Sequence, residues 1–198
     1  MPGGVRALAF DVFGTVVDWR GSIMAEGEAL GTLRGITADW GAVADGWRAR
    51  YQPVLDAVNQ GRRPWAKLDD LHRATLDEVL AEHGLAGFGR DDRERLVAGW
   101  HRLRAWPDVR AGLALLRRRF TLATLSNGHV ALLVDLARYN ELTFDVILSA
   151  ELAGRYKPDP AVYRRAVDLL DLEAGAVMMV AAHMNDCARP GPLACGPP

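Results

Sequence analysis

Cysteine is nearly missing from the chain: 198 residues hold two, Cys187 and Cys195, both close to the C-terminus and without metal-ligand spacing. That scarcity excludes a disulfide framework and a cysteine-based zinc site. It suits a reducing compartment, so a cytoplasmic location is expected. A long apolar run is missing as well. No stretch of about 18 apolar residues occurs, and the N-terminus has no charged region followed by an apolar core and a small-residue cleavage site, which argues against membrane spans and secretion. The third absence is an excess of one charge. Lys and Arg number 24 against 25 Asp and Glu, a formal net charge of -1, and the two signs are mixed along the sequence. No basic face for nucleic acid or anionic lipid is expected, and a small soluble substrate is the simpler partner. What is abundant is apolar bulk, at 49% of residues. This length and composition suffice for one full domain, or for a core domain carrying a small insertion, but not for two large independent domains.

Four apolar runs read as buried strands: Val5 to Val12, Phe120 to Leu125, Phe144 to Leu148 and Ala176 to Ala182. Helix-like segments separate the later ones, and strands alternating with helices indicate a parallel α/β sheet. Such sheets bind ligands at the carboxyl ends of their strands. Asp11, Ser126 with Asn127, and the segment from His183 to Asp186 all fall there, so these positions are expected to converge. Between residues 18 and 104 the pattern changes. Ala44 to Val58, Leu68 to His83 and Asp91 to Leu103 carry apolar residues at helical spacing, which predicts an all-helical insertion at 18–104 within a core formed by 1–17 and 105–198. Gly84 to Gly89 and Trp106-Pro107-Asp108 read as loops. From Arg189 the chain is too rich in proline for a helix or a central strand, and an irregular tail is expected.

Each chemically suggestive residue has an ordinary alternative. Asp11, followed by Phe13-Gly14-Thr15, could be a turn former or helix cap. Ser126-Asn127-Gly128 has the composition of a common turn. Lys157, in Tyr156-Lys157-Pro158-Asp159, could be a solvated lysine ahead of a helix-starting proline. An isolated Asp186 would mean little. Taken together, in this order and spacing, the four resemble the four motifs of the haloacid dehalogenase superfamily over nearly the whole chain.

The resemblance implies a Rossmann-like parallel sheet with an inserted helical cap, and a strand-end aspartate acting as nucleophile. It does not by itself choose the reaction, because the superfamily also holds phosphatases, mutases and phosphonate hydrolases. Two positions discriminate. The phosphotransfer branch has a second aspartate two residues after the nucleophile, which protonates the leaving alkoxide. Here that residue is Phe13, which cannot transfer a proton, whereas a halide leaves as a stable anion without help. The acidic position four before Asp186 is Ala182, which removes a carboxylate that would help hold magnesium.

Both features resemble the 2-haloacid dehalogenases, and that resemblance implies a metal-independent enzyme with no cofactor acting on a small halogenated carboxylic acid. Asp11 would be the nucleophile, Lys157 would stabilise it, and Asp186 would orient Lys157 and the hydrolytic water. Thr15 and Ser126 would hold Asp11 and the substrate carboxylate. Arg48, in Trp47-Arg48 upstream of Tyr51, would receive the halide with Asn127 as helper; otherwise it is a solvent-facing arginine on an amphipathic helix. Tyr163 matches a family position near the site, and ordinary helix packing explains it equally. His183 and the Val16-Val17-Asp18-Trp19-Arg20 segment resemble a subgroup that includes enzymes acting on fluoroacetate; a backbone-bonded strand-end histidine is the alternative. Trp19, Trp40, Trp47 and Trp65 supply apolar bulk in or near the cap, mostly as core. Dimers are usual among relatives, which implies a homodimer. Relatives continue past the fourth motif with a helix and another strand, so the Pro-Gly-rich ending predicts an incomplete C-terminal sheet edge. The alternatives to dehalogenation are a phosphate- or phosphonate-ester hydrolase and an inactive truncated remnant.

Overall fold

The computed structural model describes residues 4–182 and the short strand Ala194–Cys195. In chain order the elements are β1 (Ala7–Phe10), β2 (Val17–Asp18), α1 (Trp19–Arg34), α2 (Trp40–Ala49), α3 (Tyr51–Asn59), α4 (Leu68–Glu82), α5 (Arg90–Gly99), β3 (Arg104–Ala105), α6 (Val109–Leu116), β4 (Thr121–Ser126), α7 (Val130–Tyr139), β5 (Val146–Ser149), α8 (Pro160–Leu170), β6 (Val177–Val180) and β7 (Ala194–Cys195). They form two compact units, Met1–Asp18 with Arg104–Pro198 and Trp19–Leu103. Among the described residues no helix is long and apolar enough to cross a membrane.

The first unit is an α/β sheet ordered β5-β4-β1-β6-β7, parallel throughout. All four residues of β1 are buried, as expected for a central parallel strand covered on both faces, which is why its sequence is continuously apolar. β1 pairs with β4 on one side and β6 on the other, Phe10 lying opposite both Thr124 and Val180. The strand order therefore reverses beside β1, and the residues leaving its carboxyl end sit at the switch point where such sheets bind ligands. The four apolar runs of the sequence supply β1, β4, β5 and β6. The tail departs from expectation at one place: Ala194 and Cys195 pair with Met178 and Met179 as a two-residue edge strand, a position tolerant of nearby prolines because only one side of the strand is paired. Val17–Asp18 and Arg104–Ala105 pair antiparallel at the two points where the chain leaves and rejoins this unit.

The second unit is helical. The expected single helix from Ala44 to Val58 is two, α2 and α3, separated at Arg50. Pro53 is the cause, since it has no N–H to bond the carbonyl four residues back and its ring would clash there; it is accommodated in the first turn of a new helix. Helix α1 has no counterpart among the expected segments. Its glycines dilute the apolar period, yet Gly27 is required: a Cβ there would lie 2.3 Å from Cε3 of Trp40, so the indole packs directly on the helix backbone. Asp39 caps α2 by accepting from the Ala42 N–H at 2.9 Å. Of the tryptophans expected as core, Trp40 and Trp47 are buried, while Trp65 is exposed; Trp100 is an additional buried one.

Candidate active site

Asp11 follows β1 immediately, and its N–H donates to the Val180 carbonyl at 2.9 Å, prolonging the β1–β6 ladder by one bond. The chain then turns sharply. Val16 and Val17 both donate to the Val12 carbonyl and Gly14 donates to Val17, a path that puts Gly14 at φ 88°, where a side chain would be strained. The turn carries Thr15 back over Asp11. Its Oγ1 donates to Asp11 Oδ2 at 3.0 Å and accepts the Ala182 N–H at 2.9 Å. A hydroxyl has one proton, and the amide occupies a lone pair, so that proton is directed to the carboxylate. Lys157 Nζ donates to the other oxygen, Oδ1, at 2.9 Å. Both partners are buried, with 5% exposure for the Lys157 side chain and 7% for that of Asp11. Each carboxylate oxygen thus has a donor, one cationic and one neutral.

Lys157 is itself held. The Asn127 side chain accepts from the Lys157 N–H at 2.7 Å and its amide donates to the Lys157 carbonyl at 3.4 Å, clasping the backbone on both sides. The strand-end position of Asn127 was legible in the sequence, but this partner was not. Ser126 is fully buried and its Oγ accepts from the Gly128 N–H at 3.2 Å. Two residues not singled out in the sequence complete this turn. Ser149 Oγ donates to the Gly128 carbonyl at 2.6 Å, and Glu151 accepts the Val130 N–H at the start of α7 at 2.8 Å; the one available signal was a Ser-Ala-Glu at a strand end. Tyr163 lies on the buried face of α8 with Val162 and Ala166. Lys157 precedes that helix, whose first turn is set by Pro160 and by Asp159, which accepts from the Ala161 N–H. His183 and Asp186 lie outside the described residues.

Magnesium prefers several oxygen donors in octahedral array. Asp11 instead meets an ammonium and a hydroxyl. The residue two further on, Phe13, is buried, and a Cβ on Gly128 would lie 3.2 Å from its Cζ, so the phenyl ring abuts the second motif. Ala182 offers only its amide. The described residues around Asp11 do not fit the metal.

In the helical unit, Arg48 lies on α2. Its guanidinium carbon is 4.0 Å from the centroid of the Tyr51 ring and 5.4 Å from that of Trp19. Nη1 is buried and has no hydrogen-bond partner among the described residues. Buried donors are seldom left so.

A family model described as haloacid dehalogenase-like hydrolase matches residues 5–188. The chain is 32% identical over 192 residues to (S)-2-haloacid dehalogenase 1 of Pseudomonas sp. (strain CBS-3), covering 94% of this chain and 80% of that protein. The solved structure of an L-2-haloacid dehalogenase superposes with a TM-score of 0.92 at 45% identity, covering 97% of this chain and 83% of the other. That of a defluorinating L-2-haloacid dehalogenase does so with a TM-score of 0.89 at 41% identity, covering 92% and 75%. With its central-strand aspartate, its parallel sheet and a match running from Val5 to residue 188, the chain belongs to the haloacid dehalogenase-like hydrolases.

Proposed function

We propose that this chain hydrolyses short 2-haloalkanoic acids to 2-hydroxy acids through an ester on Asp11, the helical unit serving as the family's cap domain. The observation that carries this reading is the buried Lys157–Asp11 pair with Phe13 two residues on. A carboxylate shielded from water is a better nucleophile, and the Lys157 ammonium 2.9 Å away balances its charge. No proton donor stands at the position where an alkoxide would need one.

In the first stage a carboxylate oxygen of Asp11 forms a bond to C2 as the carbon–halogen bond breaks, and the halide departs with the electron pair. In the second, water adds to the Asp11 carboxyl carbon. The bond between that carbon and the oxygen now attached to the substrate breaks, a water proton passes to the departing oxygen, and the second proton goes to solvent. The products are a 2-hydroxy acid, halide and a proton. Thr15 holds Asp11 in line, and Ser126 and Tyr163 receive the substrate carboxylate. By resemblance Asp186 is assigned to orient Lys157 and the water, and His183 to substrate binding, although both lie outside the described residues. Arg48 receives the halide, as guanidinium suits an anion forming in a shielded site. Asn127 acts chiefly through Lys157.

Halide release is the test, measured with chloroacetate and both 2-chloropropionate enantiomers in EDTA, with Asp11→Asn alongside. Release lost in that variant is expected. A single turnover in 18O-water should leave the label in Asp11 and none in the product; label in the product would rule out the ester route.

A further inference from the structure

We propose that Trp19 and Tyr51 are positioning residues that clamp the Arg48 guanidinium as a fixed halide receptor, an inference that rests on assigning halide binding to Arg48. The two rings meet the guanidinium at 5.4 and 4.0 Å, within the range of a cation–π contact. They are not independent of each other. Trp19 stacks on Trp100 with centroids 6.4 Å apart and planes 9° apart, Trp100 stacks on His72 at 4.1 Å, and His72 lies 6.2 Å from Tyr51. Trp47 packs edge-on against Trp100 at 5.5 Å, and its Nε1 donates to the His72 carbonyl at 3.1 Å. One continuous aromatic wall therefore fixes both ring faces.

The neighbouring arginine shows what is unusual here. Arg50, two residues on at the junction of α2 and α3, pairs with Glu78 and Glu82 and donates to the Gly46 carbonyl. Arg48 enters none of the ion pairs found among the described residues, and its Nη1 is buried without an acceptor. A carboxylate partner would neutralise the guanidinium and compete with an incoming anion. Aromatic faces hold the plane of the group and leave its N–H edge unspent. The clamp thereby fixes the donors before the anion forms, so no arginine rotamers have to be frozen during the reaction.

Halide charge develops only as the carbon–halogen bond breaks, so the clamp acts on kcat more than on KM. Its contribution should rise from bromide to chloride to fluoride, as the leaving charge becomes more concentrated. The experiment is steady-state halide release with bromoacetate, chloroacetate and fluoroacetate for Y51L, W19L, Y51F and R48A, with a melting curve for each. Y51L and W19L are expected to lose about tenfold in kcat on chloroacetate, from a cation–π contact of ordinary strength. The loss should be smaller on bromoacetate, and Y51F, which keeps the ring, should recover most of it. A loss of equal factor on every leaving group, tracking the folded fraction, would overturn the clamp. So would R48A inactive beside Y51L and W19L at wild-type rates, whereas R48A at the wild-type rate removes the receptor assignment and the clamp with it. Should Y51L fail to fold, W19L decides the matter, since Trp19 is only half-buried.

Discussion

Lys157→Met probes the Asp11 pair through stability, where the answer does not depend on which substrate is used. The ion pair spans 2.9 Å and both side chains are at least nine-tenths buried. Removing one partner of such a pair costs about 3–5 kcal/mol, because a desolvated charge is left behind; an exposed pair would cost about 0–1 kcal/mol. The Thr15 hydroxyl still reaches Oδ2, so the lower end, about 3 kcal/mol, is expected. For a chain of this size that corresponds to a fall in Tm of about 6–12 °C. The double variant D11N/K157M removes both charges at nearly constant volume and should be more stable than K157M alone, since no unpaired charge remains. Urea unfolding at pH 7, with calorimetry on the same samples, measures both. A K157M protein within about 1 kcal/mol of wild type, or a double variant no more stable than K157M, would refute the claim that this is a buried pair whose halves depend on each other.

Thr15→Val should lower kcat for halide release strongly but cost only about 1 kcal/mol of stability, because Ala182 is exposed and water can take its N–H; Thr15→Ser should restore the rate. Gly27→Ala should destabilise by about 1–3 kcal/mol by driving a methyl into Trp40, whereas Gly112→Ala in α6, where a Cβ meets nothing within 4 Å, should stabilise by about 0.5–1 kcal/mol; urea midpoints of the pair test the packing. The Leu122 N–H and then the Arg117 guanidinium hold the Asp145 carboxyl below its usual value. Its contribution is therefore present above the unfolded carboxylate range and lost as pH falls through the lower folded value, so Asp145→Asn should show a shallower stability loss between about pH 4 and pH 2.

The parts of this protein that could be read from sequence are those where one physical cause dominates. β1, β4, β5 and β6 are covered on both faces or nearly so, and such strands announce themselves as apolar runs. Thr15 and Lys157 are expected beside Asp11 because their motifs resemble the family's, and both side chains reach its carboxylate. The break at Arg50 had its signal in Pro53, which cannot sit in a helix interior, but the apolar period running unperturbed from Ala44 to Val58 concealed it. Helix α1 escaped because glycine lowers local helix propensity, while the Trp40 contact that requires Gly27 lies across two helices. β2 and β3 have two residues each, too few to show a period. At the site, the clasp of Asn127 on Lys157 and the bond from Ala182 to Thr15 both use backbone groups, which every residue has and no motif records.

Phe13 has two roles in the same argument. By its chemistry it removes the acid that a phosphate ester would require. By its packing, against Gly128 and beside Leu132 and Leu133, which crowd the same point at 3.2 and 3.1 Å, it fills the space at the second motif with carbon. A carboxylate placed there would lose hydration without gaining a cation, since Lys157 is already committed to Asp11 Oδ1. The site thus combines shared and distinguishing parts: Lys157 and Thr15 match superfamily motifs, and Phe13 is where the chain departs from the phosphatase pattern. Lys157 stabilises the nucleophile, Thr15 fixes its second oxygen, and Phe13 makes the position between them and the second motif unsuited to acid–base chemistry. The motifs that carry Asp11, Thr15 and Lys157 point to the superfamily without choosing the reaction, and Phe13, with Ala182 where a metal-holding carboxylate would stand, separates dehalogenation from phosphoryl transfer.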